Sequence, residues 1–194
     1  MTRAKLLANR LGDVGLRSCQ QDGETIGEVV PGCGGEWWTL LCDSGRKQFA
    51  EEVSALRSTC SNNEWKLLVA DLAELLEAAQ KGLLIFDTTN TRGEVCRPRG
   101  FKNCEDDKPR LDVQEVLELR IERTFNLDER RRHLRLYYSE PSDQLGMLLH
   151  LYLAHKASRA DGLAEQDCQI IEAQRRFNTW WPGRPDGAEL ILPL

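Results

Sequence analysis

Three stretches in the second half of the chain set the strongest limit on its fold. Apolar and polar residues alternate through Leu117–Glu122 and His133–Ser139, and Met147–His155 is a longer apolar run. Alternation with a period of two is typical of a strand that buries one face. Short charged or proline-containing connections favour antiparallel neighbours, and a helical pattern, Ala164–Arg176, follows. The sequence therefore predicts three antiparallel strands and a closing C-terminal helix.

One strand and two helices precede these elements. Glu36–Cys42 is apolar and aromatic, and apolar residues recur at helical spacing through Arg46–Cys60 and Glu64–Gln80. A short polar turn joins the two helical segments, and Lys81-Gly82 ends the second. We predict an α+β domain in which an N-terminal helical hairpin packs on a small antiparallel sheet closed by the C-terminal helix.

The two ends of the chain lack this periodicity. Residues 1–35 become Gly-rich and polar after one short helical pattern, and a Trp-Trp-Pro-Gly break follows the last predicted helix. The sequence predicts an N-terminal extension over residues 1–35, a domain over residues 36–177 and a C-terminal tail over residues 178–194.

Cysteine usage and hydropathy bear on the compartment. The seven cysteines are odd in number, scattered and without a C-x-x-C pair, which favours a reduced chain. No apolar run approaches the roughly 18 residues of a membrane span, and the pattern of the first residues does not predict a signal peptide. We predict a cytoplasmic protein that does not contact a membrane and has neither a metal nor a cofactor.

Charge is distributed unevenly along the chain. The net charge of −5 argues against binding nucleic acid over the whole surface. Local basic groups remain: Arg92, Arg97, Arg99 and Lys102 lie in one loop broken by Gly and Pro. This loop is a candidate contact for an RNA backbone, and a solvated connection is the alternative.

The predicted strands also carry cations and phenols. Arg120, Arg135, Tyr137 and Tyr138 lie on the first two strands, and Lys156 follows the third. A planar guanidinium can bind two phosphate oxygens at once, so rigid strands with such groups suit a phosphodiester. By strand parity Arg135 and Tyr137 share one face, which makes Tyr137 rather than Tyr138 the candidate site residue.

The segments LELRIE, HLRLYYSEP, GMLLHLYLAHKAS and EQDCQIIEAQRR, in this order, resemble the RelE/ParE toxin superfamily, in particular its HigB-like and phage-derived members. The resemblance covers about residues 36 to 177. It implies a RelE-like fold and the toxin of a toxin–antitoxin system, a metal-independent endoribonuclease that cleaves mRNA on the ribosome. It also implies a cognate antitoxin as partner.

The resemblance assigns roles residue by residue. Arg120 matches the arginine of the E-L-R strand, Arg135 that of R-x-x-Y, and Lys156 the lysine after the apolar strand. Tyr137 and His155 complete the predicted catalytic set, because His155 adjoins Lys156 and titrates near neutral pH. His133, beside three arginines, is assigned to a solvated turn.

Departures from the family pattern leave other functions open. The chain is longer than a minimal toxin of this type, is acidic, and has Ala154-His155 where many relatives carry a second lysine. The alternatives are a non-catalytic ParE-like inhibitor of DNA gyrase and an inactive RelE-fold interaction protein. In either toxin hypothesis we expect an antitoxin segment to cover the basic face formed by Arg92–Lys102, Arg120 and Arg135.

Overall fold

The computed structural model describes residues 16–22, 28–87, 93–98, 116–127, 129–141, 144, 146–158 and 161–180. Within these ranges the strands are β1 (Gln21–Asp22), β2 (Val29–Val30), β3 (Glu36–Thr39), β4 (Val95–Cys96), β5 (Leu117–Leu127), β6 (Arg130–Ser139) and β7 (Met147–Ala157), and the helices are α1 (Gln48–Thr59), α2 (Asn62–Gln80) and α3 (Asp161–Trp180). The predicted α+β class is confirmed.

A five-stranded mixed sheet forms the centre of the fold. Its strand order is β3-β7-β6-β5-β4, and a separate pair joins β1 and β2. The predicted antiparallel run β5-β6-β7 is confirmed, but β3 lies parallel to β7, so the prediction of an antiparallel sheet is wrong for this strand. After β3 the chain leaves this edge of the sheet through α1 and α2. It returns through the antiparallel strands β5 and β6 to β7, which runs in the same direction as β3.

The helical hairpin begins and ends by local signals. Ser61 caps α2 in a capping box with Glu64, which satisfies free amides of the first turn. At the other end Gly82 adopts a φ of 69°, and the Leu83 amide donates to the Ala78 carbonyl at 2.9 Å. This Gly-terminated turn ends α2 where the sequence predicts it.

The sheet packs on both faces. On the face toward α1 and α2, the hairpin face, the core contains Trp37, Leu68, Leu72, Leu119, Leu136, Tyr138 and Leu148. On the opposite face, the α3 face, it contains Val116, Tyr137, Leu149, Leu151, Ile170, Ala173 and Phe177. Alternate residues of β6 therefore enter different cores, as a period of two requires, whereas in β7 the parity changes between Leu151 and Leu153 at an irregularity in the pairing with β6.

The described part of the N-terminal extension contacts the sheet. Ser18 and Cys19 are buried, and the Ser18 hydroxyl lies 2.8 Å from the Tyr138 hydroxyl and 2.5 Å from a carboxylate oxygen of Glu140. Arg17 donates to the Met147 carbonyl at 2.8 Å. These bonds anchor residues 16–22 to the domain, while the domain limits themselves stay a prediction.

Beyond residue 150 the β7 edge is covered by side chains, because β3 pairs only with residues 147–150. An exposed strand edge leaves amides and carbonyls without partners. Here Arg176 donates to the Leu151 carbonyl (2.7 Å), the Leu153 amide donates to Glu52 (2.6 Å), Gln169 donates to the His155 carbonyl (2.8 Å), and the Ala157 amide donates to Glu165 (2.8 Å). Side chains from α1 and α3 thus replace a neighbouring strand.

Glu52 connects three elements at this edge. One carboxylate oxygen lies 2.5 Å from a guanidinium nitrogen of Arg176, and the other lies 3.1 Å from Nε2 of His150. His150 is fully buried, and its Nδ1 lies 3.2 Å from the Thr39 hydroxyl. Burial opposes ionisation of Glu52, yet His150 and Arg176 hold its pKa below the ordinary value.

No described helix has the length and apolar character needed to cross a membrane.

We predict that Glu52→Gln lowers the free energy of unfolding by about 1.5–3 kcal/mol, because the largely buried Arg176 loses one of its two carboxylate partners and keeps Glu172. Glu51→Gln is the matched control, since Glu51 pairs with the exposed Arg46 at the surface and its loss should have a much smaller effect. Urea unfolding of both variants measures the difference. Equal destabilisation would contradict the assignment.

We also predict that stability falls as the pH drops below about 6.5. Burial lowers the pKa of His150, so the unfolded chain binds a proton at a higher pH than the folded chain. The stability that neutral His150 provides is therefore complete above its unfolded pKa and is lost as pH falls toward the folded pKa. His150→Gln should reduce the slope of unfolding free energy between pH 7 and 5 by up to about 1.4 kcal/mol per pH unit. An unchanged slope would exclude His150 as the source.

Candidate functional site

Four of the predicted site residues meet on the α3 face. Arg120 and Arg135 are directly paired across β5 and β6, and Tyr137 lies two residues along from Arg135. Lys156 projects from β7 on the same face because its cross-strand partner, His133, shares the parity of Arg135. The predicted common face of Arg135 and Tyr137 is confirmed.

Glu118 lies at the centre of these groups. Its Oε1 is 3.4 Å from Nε of Arg120 and 3.1 Å from Nε of Arg135. Its Oε2 accepts a hydrogen bond from the Gln166 amide at 2.6 Å, and the Gln166 carbonyl oxygen accepts one from Lys156 at 2.6 Å. Glu118 thus reaches three cations, two directly and one through α3. We call the set Glu118, Arg120, Arg135, Tyr137, Lys156 and Gln166 the Glu118 cluster.

Arg120 has a second carboxylate partner. Its Nη1 lies 2.9 Å from Asp87, which is itself buried. The Arg120 side chain is only 15% exposed, so it is not the solvent-facing member of a half-buried strand. Burial lowers its pKa, but the carboxylate of Glu118 and the hydrogen bond that Arg120 donates to Asp87 help to outweigh burial and raise the pKa of Arg120 overall. Among the described residues, the cations Arg120, Arg135 and Lys156 thus lie around the carboxylates of Glu118 and Asp87.

Arg135 and Tyr137 form a buried floor. Arg135 donates to the Leu134 carbonyl at 2.8 Å, and the Tyr137 hydroxyl donates to Gln169 at 3.2 Å. Tyr137 has no exposed surface, and burial raises its pKa far above the usual range. The phenol is therefore protonated at neutral pH and does not reach solvent.

Lys156 and His133 form the rim of the cluster. Both are half-buried and face each other across β6 and β7. Burial, followed by the charge of Arg135, lowers the pKa of Lys156. Burial, followed by Arg135 and Lys156, lowers the pKa of His133. His133 was expected in a solvated turn, but it lies in β6, and the parity that it shares with Arg135 and Tyr137 is the signal that could have included it.

His155 lies on the other side of the sheet. Its ring packs edge-to-face on Phe125, with centroids 5.5 Å apart. It lines a groove of about 420 Å³ between α1, β7 and α3, together with Arg132 and Glu165. The structure therefore separates His155 from Lys156, because consecutive residues of a strand point to opposite faces.

Only part of the predicted RNA-binding loop can be placed. Arg97 is half-buried and directly follows β4. Arg92, Arg99 and Lys102 lie outside the described residues. RNA binding by this loop stays a prediction.

Other features lie away from the Glu118 cluster. A groove of about 520 Å³ separates the β3–α1 connection from the end of α3 and is lined by Cys42, Arg175 and Trp180 among others. The Ser44 hydroxyl holds the pKa of the Cys42 thiol below its ordinary value. Among the described residues, no three His, Cys, Asp or Glu side chains are grouped so that they could hold a metal ion.

Comparison of this chain with protein families, with characterised proteins and with solved structures finds no match. The chemistry of the Glu118 cluster is therefore the basis for a functional proposal. A phosphodiester could be held at its half-buried rim, where Lys156 offers a cation and His133 an imidazole.

We predict that Glu118→Gln lowers the free energy of unfolding by about 3–5 kcal/mol, because Arg135 loses its buried counter-charge. Glu122→Gln, an exposed position of the same parity on β5, is the control and should change stability little. Chemical unfolding of the two variants is the measurement. Comparable stability of both proteins would show that Glu118 is not the centre of this cluster.

Proposed function

We propose that this chain is a RelE-like toxin of a toxin–antitoxin system, which acts in the cytoplasm and cleaves mRNA on the ribosome without a metal ion. The observation that carries the proposal is the convergence of Arg120, Arg135, Tyr137 and Lys156 on one face of β5, β6 and β7. The order of strand, helical hairpin, three antiparallel strands and helix supports the RelE-like arrangement.

The cations of the Glu118 cluster suit it to phosphodiester cleavage. Attack by a ribose 2′-hydroxyl produces a crowded phosphorane whose negative charge must be stabilised by preorganised cations. Arg120 and Arg135 are paired with Glu118 and Asp87, so Lys156 at the rim is the cation that would contact the phosphate, with the arginines beneath it. Because Arg120 and Arg135 are largely buried, a cognate antitoxin would cover the rim at Lys156 rather than the arginines expected from the sequence, and there it would block RNA.

A second candidate function is supported by the internal pairing of the same cations. Glu118 and Asp87 are buried and neutralise Arg120 and Arg135, and Tyr137 does not reach the surface. In this candidate the cluster only positions β5, β6 and α3. The chain is then a non-catalytic ParE-like inhibitor of DNA gyrase or an inactive RelE-fold interaction protein.

Expression of the full chain in bacteria separates these functions. The ribonuclease proposal expects growth arrest with transcripts cut inside coding regions. Growth arrest with intact transcripts, together with inhibition of gyrase supercoiling by the purified chain, would select the gyrase inhibitor. Normal growth at high expression, with intact transcripts, would overturn both toxin proposals and select the inactive interaction protein.

We predict that Lys156→Gln slows cleavage of ribosome-bound mRNA by about tenfold to a hundredfold, because one charged hydrogen bond to the transition state is lost. The fold should be retained, since Lys156 is half-buried and its partner Gln166 is neutral. Lys66→Gln, at an exposed position on α2, is the matched control and should cleave at the wild-type rate. Equal rates for both variants would remove Lys156 from the site.

A further inference from the structure

We infer that His133, facing Lys156 across β6 and β7, is the base that accepts the proton of the ribose 2′-hydroxyl. The inference rests on the proposed ribonuclease function and names a residue that the family resemblance does not supply. His133 and Lys156 are register partners, and Arg135 lies two residues along the same strand face. The pair therefore adjoins the cations that would hold the phosphate.

The other titratable groups of the cluster are unsuited to this role. Tyr137 has no exposed surface. Glu118 is 1% exposed, and both of its oxygens are engaged, one by the arginines and the other by Gln166. A general base must come within hydrogen-bond reach of the hydroxyl. Half-buried His133 meets this condition at the rim.

The surroundings of His133 favour a neutral ring. Burial is the main cause that lowers its pKa, Arg135 on its own strand and Lys156 on β7 add to it, and Glu122 on β5 opposes them. The net shift is downward, so the imidazole is unprotonated at neutral pH and is able to accept a proton. Its Nδ1 is buried and forms no hydrogen bond with any described residue. In the tautomer that carries the proton on Nδ1, the lone pair of Nε2 is the one that accepts.

The reaction balances with these two groups. Nε2 of His133 takes the 2′-hydroxyl proton, the 2′-oxygen bonds to phosphorus, and the bond from phosphorus to the 5′-oxygen breaks. Lys156 gives a proton to the departing 5′-oxygen. The products are a 2′,3′-cyclic phosphate and a 5′-hydroxyl, and exchange with water restores both side chains. Residues directly opposite in antiparallel strands have Cβ atoms roughly 5 Å apart, which lets the two side chains flank one phosphate.

His155 provides a matched comparison. It is also half-buried and its pKa is also lowered, first by burial and then by Arg132. It differs in lying on the opposite face of the sheet, next to Phe125. If His133 affected cleavage only through protein stability or overall charge, replacing His133 or His155 would change the cleavage rate to a similar extent.

The test is single-turnover cleavage of a defined mRNA on purified bacterial ribosomes by the full chain and by His133→Ala and His155→Ala. We expect His133→Ala to be slower by about a hundredfold or more, the usual contribution of a positioned base. His155→Ala should stay within a few-fold of the wild type. Imidazole added to the buffer should restore part of the rate of His133→Ala and leave His155→Ala unchanged.

The outcomes separate the inference from the proposed function. Cleavage by His133→Ala at the wild-type rate would overturn the inference and leave the ribonuclease function standing. If His133→Ala unfolds at the wild-type temperature, cleaves slowly and does not respond to imidazole, His133 has another role. This result would also overturn the inference. Absence of cleavage by the wild-type chain would overturn both.

Discussion

The carboxylate of Glu52 connects α1, β7 and α3 and, together with the buried apolar face of Ile170, Ala173 and Phe177, holds α3 over the sheet. Since β3 covers only the first part of β7, the remaining strand edge must obtain its hydrogen bonds from elsewhere. Glu52 accepts the Leu153 amide and pairs with Arg176, which in turn donates to the Leu151 carbonyl. The same helix brings Gln166 to Glu118 and Gln169 to Tyr137. A contact at the sheet edge therefore also arranges the groups around the candidate site.

Burial divides the candidate site into two parts with different chemistry. The floor, with Arg135 and Tyr137, is buried and hydrogen-bonded to the Leu134 carbonyl and to Gln169, so these two groups do not reach solvent. The rim, with His133 and Lys156, is half-buried and has groups whose pKa values lie below their ordinary range. A fixed electrostatic floor beneath titratable groups is a workable arrangement for proton transfer near a phosphate.

Much of the fold could be predicted because residue periodicity reports directly on secondary structure. The alternation in Leu117–Glu122 and the helical spacing in Glu64–Gln80 both correspond to observed elements. The parallel direction of β3 could not be predicted, since it depends on which strand β3 pairs with in the folded sheet. The grouping of His155 with Lys156 followed sequence adjacency, although strand parity already separates them. Glu118 was missed because its burial depends on tertiary packing, and an alternating pattern alone assigns such a carboxylate to solvent.

The side-chain caps along β7 have a consequence for self-association. A second chain that approached this edge to extend the sheet would first have to break the bonds that Glu52, Arg176, Gln169 and Glu165 make with the backbone. Two of these caps are carboxylates, which would also have to be moved away from positively charged neighbours. Edge-to-edge aggregation through β7 is therefore opposed by the same hydrogen bonds that complete the fold.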